Sequence, residues 1–81
     1  MEVKLKKQLL DFDATQLSAE ECVFKWDTIA QEVGFSESFV RRFCAENSIK
    51  LPRWGLGMTG GPVYLPKLKV PLLRSMILST R

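Results

Sequence analysis

The sequence contains no histidine and only two cysteines, Cys22 and Cys44, among its 81 residues. With no imidazole and no second cysteine at ligand spacing from either thiol, a structural zinc site is not expected, and no cofactor is implied. The same scarcity removes the usual acid, base and nucleophile combinations. No carboxylates cluster at a recognisable spacing and no cysteine stands beside a base, so no enzymatic activity is expected. Tyr64 is the single tyrosine; nothing around it marks a recombinase nucleophile, and so short a chain cannot house that catalytic domain. No apolar run approaches the roughly 18 to 20 residues of a membrane span, and the charged start has no signal-peptide-like apolar stretch behind it. The expectation is a cytoplasmic protein with no membrane partner and with both thiols small, buried and reduced.

Acidic residues are unevenly missing: none follows Glu46. Residues 1–35 carry four Lys against seven Asp or Glu (4 − 7 = −3), and residues 36–81 carry eight Lys or Arg against two Glu (8 − 2 = +6), which together give the net +3. That contrast points to a polyanionic partner, or to a solvated basic face. The 46% hydrophobic and 26% charged fractions are those of a globular chain. Its length allows one domain that buries only about 60 to 65% of the surface its unfolded chain exposes.

Along the chain, apolar residues at Leu5, Leu9, Leu10 and Phe12 predict a first short helix over residues 4–12. Ser18 followed by Glu21 fits a capping box and predicts a helix start. Whether that helix runs unbroken to Val33 or breaks near Phe24 and restarts is open in the sequence. Trp26, Ile29, Ala30 and Val33 recur at helical spacing and predict one buried stripe. Gly34 ends that helix, because a glycine there takes the left-handed conformation that turns the chain sharply. Ser36 is a natural N-cap for a next helix with Phe39, Val40 and Phe43 as its apolar face, ending near Asn47. Pro52 and four glycines within residues 55–62 then predict a loop. A hairpin is expected between strands near residues 50–54 and 63–65, with Pro52 and Pro66 confining both to sheet edges. Pro71 opens a last helix whose apolar side is Leu72, Leu73, Met76 and Ile77.

Residues 26–45 resemble the helix-turn-helix signature of bacterial and phage regulators. Ala30 is small where two helices cross closely, Gly34 makes the turn, Val40 packs back between the helices, and Ile29, Val33, Phe35 and Phe43 complete the wedge. In such a motif the start of the second helix enters the major groove of double-stranded DNA. Its solvent-facing positions here are Ser36, Glu37, Ser38, Arg41 and Arg42. Arginine bonds bidentately to guanine, serine reaches base or phosphate, and glutamate accepts from cytosine. The two arginines are the leading candidates.

Lys50 and Arg53, flanking a glycine-rich tip, suggest a wing. The succession of helix-turn-helix, extended arm, glycine-rich tip, residues 61–65 and closing helix is similar to the winged domains of phage and transposon excisionases and related MerR-type proteins. The chain departs from them by about twenty-five residues ahead of the motif. Because the family's wing contacts phosphates and sugars, the resemblance implies that role for Lys50 and Arg53, and for Lys67 and Lys69.

The glycines lack the Gly-Lys-Ser or Gly-Lys-Thr ending of a nucleotide loop, and no helix follows them at once. Trp54 and Tyr64 are read as core of a small sheet in preference to a base-stacking platform. The expected fold is therefore mainly α with a small β-hairpin, a winged helix-turn-helix in a single domain over 1–81. Its parts are an N-terminal helix and connector (1–17), the helix-turn-helix (18–47), the wing (48–66) and the closing helix (67–81).

The function this implies is sequence-specific DNA binding, as a transcription regulator or an excisionase-like architectural factor of a phage or mobile element. One such domain gains little specificity alone, so a homodimer or cooperative oligomer on DNA is expected. The last helix is either a partner surface or the lid of the domain's own core. The competing readings are a protein-interaction module docking on polymerase or a packaging component, and a terminase small-subunit-like DNA-binding domain.

Overall fold

A computed structural model of the chain describes residues 2–12, 16–53 and 63–80. Four helices carry most of it: α1 (Glu2–Leu10), α2 (Trp26–Val33), α3 (Glu37–Glu46) and α4 (Val70–Ser79). Two short strands, β1 (Cys22–Phe24) and β2 (Tyr64–Pro66), form an antiparallel sheet. The fold is thus mainly α with a small two-stranded sheet. Among the described residues, no helix is long and apolar enough to cross a membrane.

The region after Ser18 takes the broken course. Ser18 and Glu21 do meet: the Glu21 carboxylate accepts from the Ser18 hydroxyl at 2.9 Å and from its amide at 3.4 Å. They close only one 3-10 turn, Ala19–Glu21, before the chain extends into β1. The physical reason is distant in sequence but adjacent in space: β2, some forty residues later, supplies the hydrogen-bonding edge that Cys22–Phe24 cannot find locally. Lys25, at φ 62° and ψ 151°, then redirects the chain into α2.

The sheet is buried on both faces, which is why neither strand alternates apolar with polar. Val23 and Leu65 face each other in register and enter the main core, whereas Phe24 and Tyr64 pair on the opposite face. Their rings meet edge to face, with centroids 4.7 Å apart at 71°. Cys22, Phe12 and Leu17 complete that smaller cluster. Tyr64 is therefore core, as expected; Trp54 lies outside the described residues, as does the glycine-rich tip.

The expected hairpin partner of β2 is corrected accordingly. Among the described residues the arm of residues 49–53 makes a single bridge, Arg53 with Val63, carried by the Tyr64 amide donating to the Pro52 carbonyl at 3.0 Å. Pro52 has no N–H to extend the ladder, so the arm stays a bridge and the full pairing goes to β1. Pro66 ends β2, buried opposite Cys22, and β2 is an edge of the two-stranded sheet, as expected of a strand that carries a proline. The hydroxyl-free, N–H-free ring costs nothing there because the ladder ends at that residue.

One core links the helices. Leu9 of α1, Ile29, Ala30 and Val33 of α2, Val40, Phe43 and Cys44 of α3, and Leu73, Met76 and Ile77 of α4 all belong to it. The stripe and the closing-helix face expected from periodicity are therefore present, and α4 packs against both α1 and α2. Pro71 sits in the first turn of α4. Among the residues expected inside, Trp26, Phe35 and Leu72 are only half-buried against the core, and Phe39 is exposed, stacking on Phe35 with centroids 5.3 Å apart.

Candidate functional site

The geometry of α3 is set by the turn before it. Gly34, at φ 84° and ψ 27°, closes α2, and the Ala30 carbonyl accepts from both the Gly34 amide (2.9 Å) and the Phe35 amide (3.1 Å). A Cβ added at Gly34 would meet nothing within 4 Å. The glycine is needed for its left-handed backbone, and not for space. Ser36 follows as the N-cap of α3, its Oγ accepting from the Phe39 amide at 3.3 Å.

With Val40, Phe43 and Cys44 turned into the core, α3 presents Glu37, Ser38, Arg41 and Arg42 to solvent. The two arginines have different surroundings. Arg41 lies 3.6 Å from Glu37, one turn earlier, and its guanidinium stands 5.8 Å from the centre of the Trp26 ring. Both charged side chains of that pair remain about half exposed (58% and 46%), so the pairing is a weak surface one of about 0.3–0.5 kcal/mol and does not lock the arginine away. Arg42 has no carboxylate partner among the described residues.

At its C-terminal end α3 stops through a second left-handed residue, Ser48 at φ 58°, with the Ile49 amide donating to the Cys44 carbonyl at 2.8 Å. The arm then alternates: Ile49 and Leu51 are buried while Lys50 and Arg53 face outward. Between arm and helix lies a cleft of about 610 Å³, lined by Trp26, Arg41, Cys44, Ala45, Ser48, Ile49, Lys50, Leu51, Arg53 and Val63. Three of the expected contact residues, Arg41, Lys50 and Arg53, therefore converge on one feature. Among the described residues, no acidic one lines it.

The others sit apart from that cleft. Arg42 borders a second groove, with Phe39, Phe43, Glu46, Asn47 and Thr80. Lys67 and Lys69 lie on the 3-10 turn between β2 and α4, with Lys67 exposed. The Lys69 ammonium donates to the carbonyl of Gln8. That carbonyl belongs to the last turn of α1, where backbone acceptors lack intrahelical partners, so Lys69 serves as a tie between α1 and the α4 entry.

Trp26 and Ser48 are among the cleft residues that the sequence did not mark as functional. Neither carries a local signal. Trp26 reads as one more member of a buried stripe, and Ser48 becomes notable only because its φ is positive.

Burial governs the thiols. Both cysteines are free and buried, and burial pushes the Cys44 thiol from 9.0 up to about 11. Burial, with the nearby Glu21 carboxylate as a lesser cause, also raises Cys22. Both are protonated near neutrality, and neither is a poised nucleophile. Among the described residues, no group of three His, Cys, Asp or Glu side chains gathers where a metal ion could be held.

No family model matches the chain, and no curated protein or solved structure matches it either.

Proposed function

We propose that this protein binds double-stranded DNA sequence-specifically through a winged helix-turn-helix. In this reading α2 and α3 form the motif, α3 enters the major groove, and the arm ending at Arg53 lies against the sugar-phosphate backbone. The observation that carries it is the convergence of Arg41, Lys50 and Arg53 on one cleft, which no acidic residue lines among the described residues, beside the exposed face of an N-capped helix. Three cations held on two different elements match a phosphate backbone crossing between helix and arm. Arg42 and Ser38, on the same exposed face and free of carboxylate partners among the described residues, are the groups available to base edges. The protein acts in the cytoplasm as a transcription regulator or an excisionase-like architectural factor, bound as a dimer or cooperative array.

Selection of bound duplexes from a random pool, followed by titration across salt, tests this. An enriched motif is expected, with a log–log salt slope of about −2.7 or steeper, since each neutralised phosphate contributes about −0.9. No enrichment together with a flat salt response would overturn it.

A second reading, docking on another protein, is favoured by the exposed Leu68 (90%), Leu78 (50%) and Phe39 (36%). Apolar contact through those side chains would leave partner affinity nearly independent of salt.

A further inference from the structure

We infer that the cleft between α3 and the arm is also a binding site for a small organic anion with a flat, apolar body, which competes with DNA for Arg41, Lys50 and Arg53. The competition rests on the DNA-binding reading; the site itself does not.

Three observations converge on that ligand chemistry. The cleft measures about 610 Å³, within the roughly 300–1,000 Å³ typical of small-molecule sites. Its floor is more apolar than a phosphate contact uses: Cys44, Ile49, Leu51 and Val63 are all buried core side chains that reach its surface. A DNA backbone engages the cationic rim and leaves that floor unused, whereas an amphipathic anion engages both. At one wall the Trp26 ring and the Arg41 guanidinium stand 5.8 Å apart. Indole and guanidinium are both planar and both stack on flat unsaturated groups, so this wall selects a ring over an acyl chain.

Electrostatics point the same way. Among the described residues no carboxylate lines the cleft; Glu37, 3.6 Å from Arg41 and about half exposed, is not among the lining residues and screens that guanidinium only weakly. The rim is therefore cationic above a low-dielectric floor, an arrangement that strengthens attraction for an anion placed between them. An anion seated there neutralises the charges that a phosphate backbone needs, so occupancy and DNA binding exclude one another.

The probe is 1-naphthalenesulfonate, titrated into the ¹⁵N-labelled full chain and followed by NMR. Saturable shifts are expected at the amides of Ser48, Lys50 and Leu51 and at the Trp26 indole N–H. Neutral 1-naphthalenemethanol should bind about tenfold more weakly or worse, the loss that one charge-assisted contact corresponds to, and methanesulfonate, which keeps the charge but has no apolar body to bury, should bind at least as weakly. The Lys50→Gln/Arg53→Gln double variant should lose a similar factor while the rest of its spectrum stays unchanged. Shifts centred elsewhere, or equal binding of the neutral analogue, would overturn the site.

Competition is read separately with a fluorescent duplex. Saturating naphthalenesulfonate should raise the apparent Kd for DNA, and methanesulfonate at the same concentration should not. Retention of full DNA affinity at saturation would overturn the competition alone. Failure of every duplex to bind would overturn the DNA reading, and the NMR titration would still decide the site.

Discussion

Arg41 and Arg42 are adjacent in sequence, and the structure gives them separable roles that paired alanine variants can resolve. Arg41→Ala removes the weak ion pair with Glu37 and the contact with the Trp26 ring. At about 0.3–0.5 kcal/mol for an exposed i,i+4 pair and about 0.5 kcal/mol for an exposed cation–π contact, the stability loss is about 1 kcal/mol. In a domain of this size that lowers Tm by about 4–8 °C. Arg42→Ala removes no such partner, and arginine and alanine are both good helix formers, so stability should stay within about 0.5 kcal/mol.

On DNA the order reverses. Arg42, free to reach a base edge, should cost about 1–3 kcal/mol, or roughly 5- to 150-fold, at a selected site and little on a scrambled duplex. Arg41, which shares the cleft with Lys50 and Arg53, should weaken both duplexes alike and make the salt slope shallower by about 0.9. Fluorescence anisotropy on both duplexes across salt, alongside thermal unfolding, measures all four quantities. If Arg42→Ala leaves the ratio of specific to scrambled affinity unchanged while Arg41→Ala collapses it, the division of roles is wrong. If neither variant weakens binding, α3 is not the DNA-facing helix.

Other consequences concern the frame that holds the cleft. The two left-handed corners should respond oppositely in urea unfolding: Gly34→Ala should lose about 1 kcal/mol from backbone strain alone, because its new methyl group meets nothing, whereas Ser48→Gly should gain up to about 1 kcal/mol. Leu65→Ala, which empties a fully buried position where β2 meets the core, should cost about 2–5 kcal/mol; a loss below 1 kcal/mol would contradict the pairing with Val23.

Cys44 sets an alkaline limit. Its folded pKa of about 11 lies above its ordinary 9.0, so above pH 9 the unfolded chain releases this proton first and stability falls as pH rises. Roughly 2–3 kcal/mol should disappear between pH 9 and 11, and a Cys44→Ala variant should lack that part of the decline. An equal decline in both proteins would show that the thiol is not responsible.

Periodicity made the helical frame legible. The stripe of Ile29, Ala30 and Val33, the Gly34 corner, the Ser36 cap and the Leu73, Met76, Ile77 face all follow from short-range rules, and all stand in the structure where those rules put them. These features depend on residues within one or two turns of each other, and a sequence displays such spacings directly. The exposed face of α3 follows from the same rule, as the complement of its buried one.

The sheet and the cleft obey no local rule. Cys22–Phe24 becomes a strand because Tyr64–Pro66, some forty residues later, completes its hydrogen bonding, while the main core on one side and the cluster with Phe12 and Leu17 on the other cover its faces. With both sides buried, the alternation that would have marked it is absent. Likewise, Trp26, Arg41 and Arg53 line one cleft only because α2, α3 and the arm pack around one core. Backbone propensity and hydrophobic spacing are properties of neighbours along the chain. A charged cleft with an apolar floor is a property of neighbours across it, and packing alone decides which those are.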